Sequence, residues 1–227
     1  MERCFAGVSR IPPRSGSQTF DPVFSGHEHG GAALSTGGKV EKAKREADMH
    51  AHEMKTGICF DVAECWLGRV LAAMTGQQLC AVFLGDDPGV LTCHLRVCFP
   101  RAGLTRDRAV CKEIMAGVVE AVEHPGRGPS LPLAVNGTAF QLRVWRELME
   151  ISPGETATYT EIARRLGAPS AARAVGRACA ANKLAVVVPC HRVVRTDGGL
   201  AGYLWGVERK RALLERERNF HASGIQV

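Results

Sequence analysis

The sequence predicts an α+β protein in which a small antiparallel sheet precedes a mostly helical region. Three short apolar stretches separated by glycine-containing turns are typical of an antiparallel meander, and they occupy Ile58–Val62, Trp66–Met74 and Leu79–Leu84. Later apolar residues recur at helical spacing instead. The Gly/Pro-rich stretch Gly126–Pro132 separates the two patterns. We therefore expect a support domain over residues 56–130 and a second domain over residues 131–227.

Residues 1–55 show neither pattern. They are rich in Gly, Ser, Pro and His, which predicts a disordered segment or a linker, although Lys39–Met49 has the composition of a short charged helix. Two histidine pairs lie here, His27/His29 and His50/His52. Because no nearby set of cysteines or carboxylates completes a tetrahedral zinc site, we expect solvated histidines and no bound metal.

Two helical patterns complete the predicted support domain. The Gly85–Pro88 turn opens the first, which reaches Phe99, and the second runs from Thr105 to Val122. The first helix carries two cysteines and a histidine, which we interpret as core and surface residues.

Helix-capping signals organise the second domain. Thr138 and Gln141 form a capping box ahead of a helix that ends before Ser152–Gly154, and Thr158 with Glu161 forms another. The second box opens a helix over Tyr159–Leu166. After a short turn, Ser170 is expected to cap a helix over Ala171–Ala181. Two short helices across a three-residue turn predict a helix-turn-helix.

The second helix of this pair is almost entirely alanine and glycine, with Arg173 and Arg177 one turn apart. Helices that read the major groove of DNA carry long polar side chains that reach base edges. Small residues with an arginine favour the narrow minor groove, where contacts depend little on sequence.

The charge distribution agrees with a polyanionic partner. The chain carries a net charge of +6. Residues 1–139 have 15 basic and 15 acidic side chains, whereas residues 140–227 have 14 and 8. The whole excess therefore lies in the second domain, which suits either a solvated basic face or a nucleic-acid surface.

Composition also limits the cellular setting. No apolar run is long enough to cross a membrane, and the N-terminus lacks the apolar core of a secretory signal. The nine cysteines include no C-x-x-C pair and form no regular framework. We expect free thiols in a reducing compartment, with no membrane association.

The segment Val186–Arg195 reads V-V-V-P-C-H-R-V-V-R and is the strongest candidate for chemistry. Its apolar flanks favour burial, and Pro189 is expected to hold Cys190 at the rigid end of an extended segment. An imidazole and a guanidinium beside a thiol lower the thiol pKa, which predicts a nucleophile. A single cysteine is nevertheless weak evidence, because buried cysteines are usually inert.

Five blocks in order strengthen this interpretation. They read N-G-T-A-F-Q-L-R-V-W from Asn136, G-E-T-A-T-Y-T-E-I-A-R-R-L-G from Gly154, R-A-V-G-R-A-C-A-A-N from Arg173, P-C-H-R-V-V from Pro189 and G-Y-L-W-G-V-E-R-K from Gly202. This series resembles the methylated-DNA–protein-cysteine methyltransferases, and among them the C-terminal domain of the bacterial Ada protein. The resemblance implies a ribonuclease H-like support domain and a winged-helix-like second domain.

The resemblance also implies a reaction and its residues. Cys190 takes the alkyl group of O6-methylguanine, and of O4-methylthymine, from a base rotated out of duplex DNA, and remains alkylated. His191 accepts the thiol proton through a water, and Glu217 orients that imidazole. Tyr159 supplies a proton to the leaving base. Asn182 braces the turn that contains the cysteine.

DNA contacts and the substrate pocket are carried over in the same way. Arg173 inserts into the space left by the rotated base, within a minor-groove surface of Ser170, Ala172, Arg173, Gly176 and Arg177. The pocket comprises Tyr159, Val193, Tyr203 and Leu204. Leu204 and Trp205 are expected to narrow it, so that methyl lesions are accepted and benzylated free guanine inhibits poorly.

The resemblance implies a monomer that binds double-stranded DNA, needs no cofactor, and lies in the cytoplasm, or in the nucleus of a eukaryotic host. Three alternatives stay open. One is a lesion-binding protein that does not transfer the group, and another is an Ada-like methylation-responsive regulator. The third is a cysteine hydrolase that pairs Cys190 with His191, although adjacent residues of an extended segment point to opposite sides.

Overall fold

A four-stranded sheet forms the first half of the described molecule. The computed structural model describes residues 57–125 and 132–222. Strands β1 (Ile58–Cys65), β2 (Gly68–Thr75) and β3 (Gln78–Gly85) pair antiparallel, which confirms the predicted meander. A fourth strand, β4 (Leu104–Arg106), pairs in parallel with β1, so the strand order is β3-β2-β1-β4. The sheet is therefore mixed, and the prediction of a purely antiparallel sheet is wrong.

Two helices pack on this sheet. Helix α1 (Pro88–Cys98) contacts β2 and β3, and helix α2 (Lys112–Glu123) contacts β1 and β2. The predicted helix from Thr105 begins too early, because Leu104–Arg106 instead continues the edge of the sheet. Asp107 then accepts backbone hydrogen bonds from Ala109 and Val110, a turn that delays the helix.

Helices dominate the second half. They are α3 (Ala139–Met149), α4 (Tyr159–Arg165), α5 (Ala172–Ala180) and α6 (Val207–Ala222). Both predicted capping boxes are confirmed, at the starts of α3 and α4. The predicted cap at Ser170 is wrong: α5 follows Ala171, and no side chain caps it. Between these helices, β5 (Ala157–Thr158) pairs in parallel with β6 (Val193–Val194).

Backbone hydrogen bonds join the two halves along β3. Leu79 N–H donates to Pro132 O at 2.9 Å, and Ala134 N–H donates to Leu79 O at 2.9 Å. Further along the strand, Val82 N–H donates to Lys183 O at 2.8 Å, and Ala185 N–H donates to Val82 O at 3.0 Å. The free edge of β3 is thus covered by the segment that leads to Cys190.

Some predictions fall outside this description. The disordered segment over residues 1–55, its histidine pairs and most of the connector at 126–132 lie outside the described residues. Within the described ranges, every cysteine is free of disulfide bonds. None of the helices there is both long enough and apolar enough to cross a membrane.

Candidate active site

Cys190 opens a single 3-10 turn, Cys190–Arg192, and is buried. The prediction of an extended segment is wrong, because the chain turns at residues 185–187 and again at Cys190–Arg192. Val186 has a φ of 68°, in the left-handed region that β-branched residues rarely adopt. The sequence signal for β-branched strands was overridden by tertiary contacts, which bury the central residues as well as the flanks.

Asn182 holds this turn with its side-chain amide. Its Nδ2 donates to Val188 O at 2.9 Å and to Leu184 O at 3.3 Å, while its Oδ1 accepts from Leu184 N–H at 2.9 Å. The same Nδ2 lies 3.1 Å from Cys190 Sγ and donates to it. Because Asn182 follows α5 directly, the end of that helix sets the position of the thiol.

Burial raises the pKa of the Cys190 thiol, although the Asn182 amide and the Lys210 ammonium act in the opposite direction. The sequence-based expectation of a lowered pKa is therefore wrong for this structure. Loss of hydration disfavours the thiolate more than its neighbours favour it. At neutral pH the sulfur is a protonated thiol that needs a base.

That base is available in His191, which pairs with Glu217. His191 Nε2 lies 2.8 Å from Glu217 Oε1, and both side chains are buried. Burial lowers the pKa of His191. Burial alone would raise the pKa of Glu217, but His191 and Arg192 lower it to about 2. Glu217 is consequently ionised and His191 neutral.

The pairing fixes the tautomer of His191. An ionised carboxylate only accepts hydrogen bonds, so His191 Nε2 carries the hydrogen and donates it to Glu217. Nδ1 is then the unprotonated nitrogen. It is buried and has no hydrogen-bond partner among the described residues. The residue that follows Cys190 in the chain therefore carries a nitrogen lone pair that is free to accept a proton.

Arg192 completes the pair and was not predicted as a site residue. Its Nε donates to both carboxylate oxygens of Glu217 at 3.1 Å, and its Nη2 donates to Oε1 at 2.9 Å. Its Nη1 donates to Ile151 O, and Gly154 N–H donates to Glu217 Oε2 at 3.2 Å. Glu217 is therefore held from three sides. Adjacency to the Cys-His pair was the available sequence signal.

Lys210 is the second residue that the sequence interpretation missed. Its side chain is fully buried, and its Nζ donates to Val193 O at 2.6 Å. Burial lowers the pKa of Lys210, while the nearby Cys190 and Cys179 sulfurs would raise it if ionised. The ammonium is thus a positive charge placed to stabilise a thiolate. In the sequence it lies within the charged run E-R-K-R, which is typical of a solvated helix.

The four residues predicted to form the pocket lie in different settings. Tyr159, at the start of α4, is half-buried, and burial raises its pKa to about 12. The buried hydroxyl of Tyr203 has no partner among the described residues, and its ring lies edge-on to His191 at 6.4 Å between centroids. Val193 is buried, with its carbonyl bonded to Lys210. Leu204 is exposed.

Trp205 does not face the same space as Leu204. Its indole stacks on Phe83 of β3 with centroids 4.8 Å apart and also contacts His94. The indole ring of Trp205 therefore packs against the first half of the molecule. Of the two residues expected to narrow the pocket, Leu204 alone remains available to do so.

An open groove lies over α5. Four of the predicted DNA-contact residues line it, Ala172, Arg173, Gly176 and Arg177, and Tyr159 lies in the same wall. Ser170 is exposed but lies outside this lining. The sequence interpretation missed the loop Arg195–Asp197, which also lines the groove. Tyr159 therefore connects the groove to the neighbourhood of Cys190, whose thiolate would raise the phenol pKa further.

The described residues contain no group of three or more His, Cys, Asp or Glu side chains that is suited to hold a metal ion. The two cysteines and the histidine of α1, Cys93, Cys98 and His94, are all half-buried. The site offers a thiol, an imidazole, a carboxylate, two buried cations and two phenols. This set supports nucleophilic attack by sulfur with proton acceptance by a neutral histidine.

Comparisons with known proteins agree with this chemistry. The model of the family "6-O-methylguanine DNA methyltransferase, DNA binding domain" matches residues 139–219. The bifunctional transcriptional activator/DNA repair enzyme Ada of Escherichia coli K12 is 42% identical over 181 residues, which cover 78% of this chain and 51% of Ada. A methylated-DNA–protein-cysteine methyltransferase of Mycobacterium bovis is 55% identical over 87 residues, or 38% of this chain and 53% of that protein.

The fold agrees as well. The crystal structure of Mycobacterium tuberculosis OGT in complex with DNA is similar with a TM-score of 0.56 and 34% identity, covering 71% of this chain and 93% of that one. An O6-methylguanine-DNA methyltransferase of the archaeon Pyrococcus kodakaraensis shares the fold, with a TM-score of 0.51. The chain spans about half the length of the curated relatives that it matches. By its motifs, its mixed α/β fold and these similarities, the chain belongs to the methylated-DNA–protein-cysteine methyltransferase family.

Proposed function

We propose that the protein repairs DNA by direct reversal, through irreversible transfer of the methyl group of O6-methylguanine in duplex DNA to Cys190. O4-methylthymine is a second proposed substrate. The observation that carries the proposal is a thiol held by Asn182 beside a neutral histidine whose Nε2 is 2.8 Å from an ionised glutamate. The name of a relative supports it: the similar M. bovis protein is called a methylated-DNA–protein-cysteine methyltransferase.

Access to the lesion requires rotation of the nucleotide, because the O6 substituent of guanine lies within the base stack. We propose that α5 enters the minor groove through its small residues, and that Arg173 fills the space left by the base. Arg177, Gly176, Ala172 and Ser170 complete the contact, and the Arg195–Asp197 loop bounds it. The groove over α5 and the basic excess of residues 140–227 support this mode.

The transfer itself is an in-line displacement. His191 Nδ1 takes the thiol proton through a bridging water, and the resulting imidazolium is stabilised by Glu217. Lys210 and Asn182 stabilise the thiolate. The sulfur then attacks the methyl carbon, so that a C–S bond forms and the O6–C bond breaks. Tyr159 donates a proton to the leaving guanine, whose charge is thereby neutralised.

The product explains why no turnover is expected. S-methylcysteine is a thioether, and no base in the site can hydrolyse it. Each molecule therefore acts once. The displacement needs no oxidant, reductant or cofactor, because the nucleophile and the proton carriers belong to the chain. We propose a monomer that acts in the compartment that holds DNA, which is the cytoplasm in a bacterium and the nucleus in a eukaryote.

The domain organisation is part of the same proposal. Residues 56–130 would form a ribonuclease H-like support domain, and residues 131–227 a winged-helix-like domain that binds DNA and carries the chemistry. The confinement of the four-stranded sheet and its two packed helices to the first half, and the basic excess after residue 139, support this division.

One experiment separates this proposal from a protein that binds the lesion without transferring the group. Reduced protein is mixed with a duplex that carries a single O6-methylguanine, and peptides are mapped by mass spectrometry. We expect a gain of one methyl group on Cys190, with restored guanine in the DNA and no reaction for Cys190→Ala. Cys179→Ser is the matched control, because it removes another buried thiol near the site. Tight binding without methyl transfer would favour the non-transferring alternative.

A regulator would behave differently in a second measurement. The name of the Ada relative joins transcriptional activation to DNA repair, but this chain matches 51% of that protein. If methylation of Cys190 made the chain bind a specific promoter sequence more tightly, the Ada-like alternative would gain support. We expect methylation to leave the affinity for undamaged duplex independent of sequence, since α5 offers small residues instead of base-reading side chains.

A further inference from the structure

Helix α6 carries two pairs of adjacent charged residues two turns apart, Arg209–Lys210 and Arg216–Glu217. All four side chains are buried. The second member of each pair faces the active site: Lys210 bonds Val193 O, and Glu217 bonds His191 and Arg192. The first member of each pair lies on a neighbouring face of the helix and contacts residues within 57–125.

Arg209 binds the turn between β1 and β2. Its Nε donates to Leu67 O at 2.9 Å, and its Nη2 donates to Asp86 Oδ1 at 2.7 Å. Its Nη1 donates to Trp205 O at 3.1 Å, so the guanidinium is fully engaged. The turn is shaped to admit it: Gly68 has a φ of +104°, and a Cβ there would lie 2.5 Å from Asp86 Oδ1 and 3.2 Å from Arg209 Nη2.

Arg216 binds the C-terminal end of α2. Its Nη2 donates to Glu123 O at 2.7 Å, and its guanidinium lies over the ring of Trp66, 4.4 Å from the centroid. Trp66 is itself fixed, because its N–H donates to Glu123 Oε1 at 3.0 Å and its indole Nε1 donates to Val122 O at 2.6 Å. A guanidinium stacked on a ring at this distance adds a cation–π attraction.

The spacing links the two faces mechanically. Residues seven apart lie on the same face of a helix, and neighbours differ by about 100° around its axis. The contacts of Arg209 and Arg216 thus fix the height and rotation of α6, and these determine where Lys210 and Glu217 meet the Cys190–Arg192 turn. Meanwhile β3 holds the other side of that turn at Lys183 and Ala185.

We propose that Arg209 and Arg216 are positioning residues, which seat α6 on the sheet so that Glu217 and Lys210 stay aligned with His191 and Cys190. The proposal rests on the proposed methyl transfer. A displacement of about 1 Å in such a constellation reduces the rate on the order of 100-fold. The sheet half therefore contributes to the reaction without touching the DNA lesion.

The test uses Arg209→Met and Asp86→Asn in the full chain. Glu64→Gln is the matched control, because the exposed Arg69–Glu64 ion pair lies in the same sheet and does not contact α6. Single-turnover methyl transfer from saturating O6-methylguanine duplex is measured against pH. We expect Arg209→Met to transfer on the order of 10-fold more slowly, with unchanged affinity for DNA. Its rate should reach half-maximum at a lower pH, because an imidazolium that Glu217 no longer stabilises loses its proton at a lower pH.

The outcomes separate positioning from mere stabilisation. If Arg209→Met lowers the melting temperature but keeps the wild-type rate and pH profile at a temperature where it is folded, the proposal is overturned. If Arg209→Met does not fold, Asp86→Asn decides, since Asp86 is 39% exposed and its replacement preserves shape. Equal rates for Asp86→Asn and Glu64→Gln would then overturn it.

A second readout does not depend on methyl transfer. The Nε2–H proton of His191, bonded to Glu217, gives its own signal in nitrogen-edited NMR. We expect that signal to shift or exchange faster in Arg209→Met and to stay unchanged in Glu64→Gln. If the wild-type protein transferred no methyl group, the proposed function would fail, while this signal would still judge whether Arg209 positions the histidine–glutamate pair.

Discussion

The buried pair of His191 and Glu217 determines what the thiol can do. Cys190 is a thiol at rest because burial raises its pKa, and His191 is neutral because burial lowers its own. Proton transfer between them creates a thiolate and an imidazolium together, and each charge has a partner already in place. Lys210 and Asn182 serve the sulfur, and Glu217 serves the ring. The reactive thiolate therefore forms only when the proton moves to His191.

Glu217 also gives the protein an acid-sensitive stability. Its pKa is about 2 in the folded chain and 4.5 as a free side chain, so its contribution is complete above about pH 5 and is lost as the pH falls toward 2. A shift of this size corresponds to about 3 kcal/mol. We expect Glu217→Gln to lower the unfolding free energy at pH 7 by about that amount and to flatten its decline below pH 5. Urea denaturation at several pH values measures both.

The control for this prediction is Glu215→Gln, which changes an exposed carboxylate on the same helix. It should follow the wild-type curve throughout. A Glu217→Gln protein whose stability fell between pH 5 and pH 2 as steeply as the wild type would show that another group produces the acid sensitivity.

At the residue scale the sequence predicted the reacting residues better than the buried charged residues around them. Cys190, His191 and Asn182 were recognised from the motif blocks, Glu217 was carried over from the family resemblance, and the structure brings all four together. Lys210 was missed because a charged residue in a charged run is usually solvated, whereas Arg192 was noted only as a neighbour of the thiol. The burial of both residues depends on helix–turn packing that no local pattern reveals. For the same reason the direction of the Cys190 pKa shift was predicted wrongly.

Among the elements, the turn that leads to Cys190 carries visible strain. Val186 has a φ of 68°, whereas its neighbour Val187 is outside the left-handed region, and both are half-buried. A β-branched residue in that region costs on the order of 1–3 kcal/mol, which glycine avoids. We expect Val186→Gly to be at least about 1 kcal/mol more stable than Val187→Gly, measured by chemical denaturation. Equal stabilities would mean that the turn stores no strain at Val186.

Arg173 on helix α5 should act on DNA and not on the thiol. Arg173 is exposed and lines the groove that Tyr159 connects to the site. We expect Arg173→Ala to reduce methyl transfer from duplex DNA by at least about 10-fold, because no side chain then fills the space that the rotated base leaves in the stack. Alkylation of Cys190 by a small free reagent such as iodoacetamide should not change. Both rates are measured by mass spectrometry.

Arg164→Ala is the matched control, since Arg164 is exposed on α4 and does not line the groove. It should leave both rates close to wild type. If Arg173→Ala slowed the small reagent as much as the DNA reaction, Arg173 would influence the thiol itself, and the division of labour between helix and turn would be wrong.

Element boundaries followed local chemistry wherever that chemistry was strong. The capping boxes at Thr138 and Thr158 were predicted and are present, since each needs residues only three positions apart. The strand β4 was missed because three residues at the edge of a sheet form through pairing with β1, which is distant in sequence. Ser170 was expected to cap α5 from its residue type, but the chain begins the helix one residue later.

On the scale of the whole molecule, the two halves share too many contacts to be independent. The edge of β3 bonds the segment around Lys183, and Arg209 and Arg216 on α6 bond the β1–β2 turn and the end of α2. The sequence predicted a boundary between residues 126 and 132 from composition. It gave no sign of this interface, because the interface depends on arginines that are buried only when both halves are present.

This interface predicts a single cooperative unfolding transition. Separating the halves would break the backbone hydrogen bonds along β3 and expose the stacked rings of Phe83 and Trp205 to water, so one half should not remain folded after the other unfolds. Trp66 reports on the sheet half, and Trp145, whose Nε1 donates to Ala178 O at 2.9 Å, reports on the helical half. One variant keeps Trp66 and the other keeps Trp145, and in each the other two tryptophans are replaced by Phe. Circular dichroism measures the overall stability of each variant. After correction for that stability, the fluorescence of both variants should give the same urea midpoint. Two separate midpoints within one variant, by fluorescence and by circular dichroism, would show that the halves unfold independently. Arg209→Met in the same backgrounds should move the two probes apart, because it removes two of the hydrogen bonds that couple the halves.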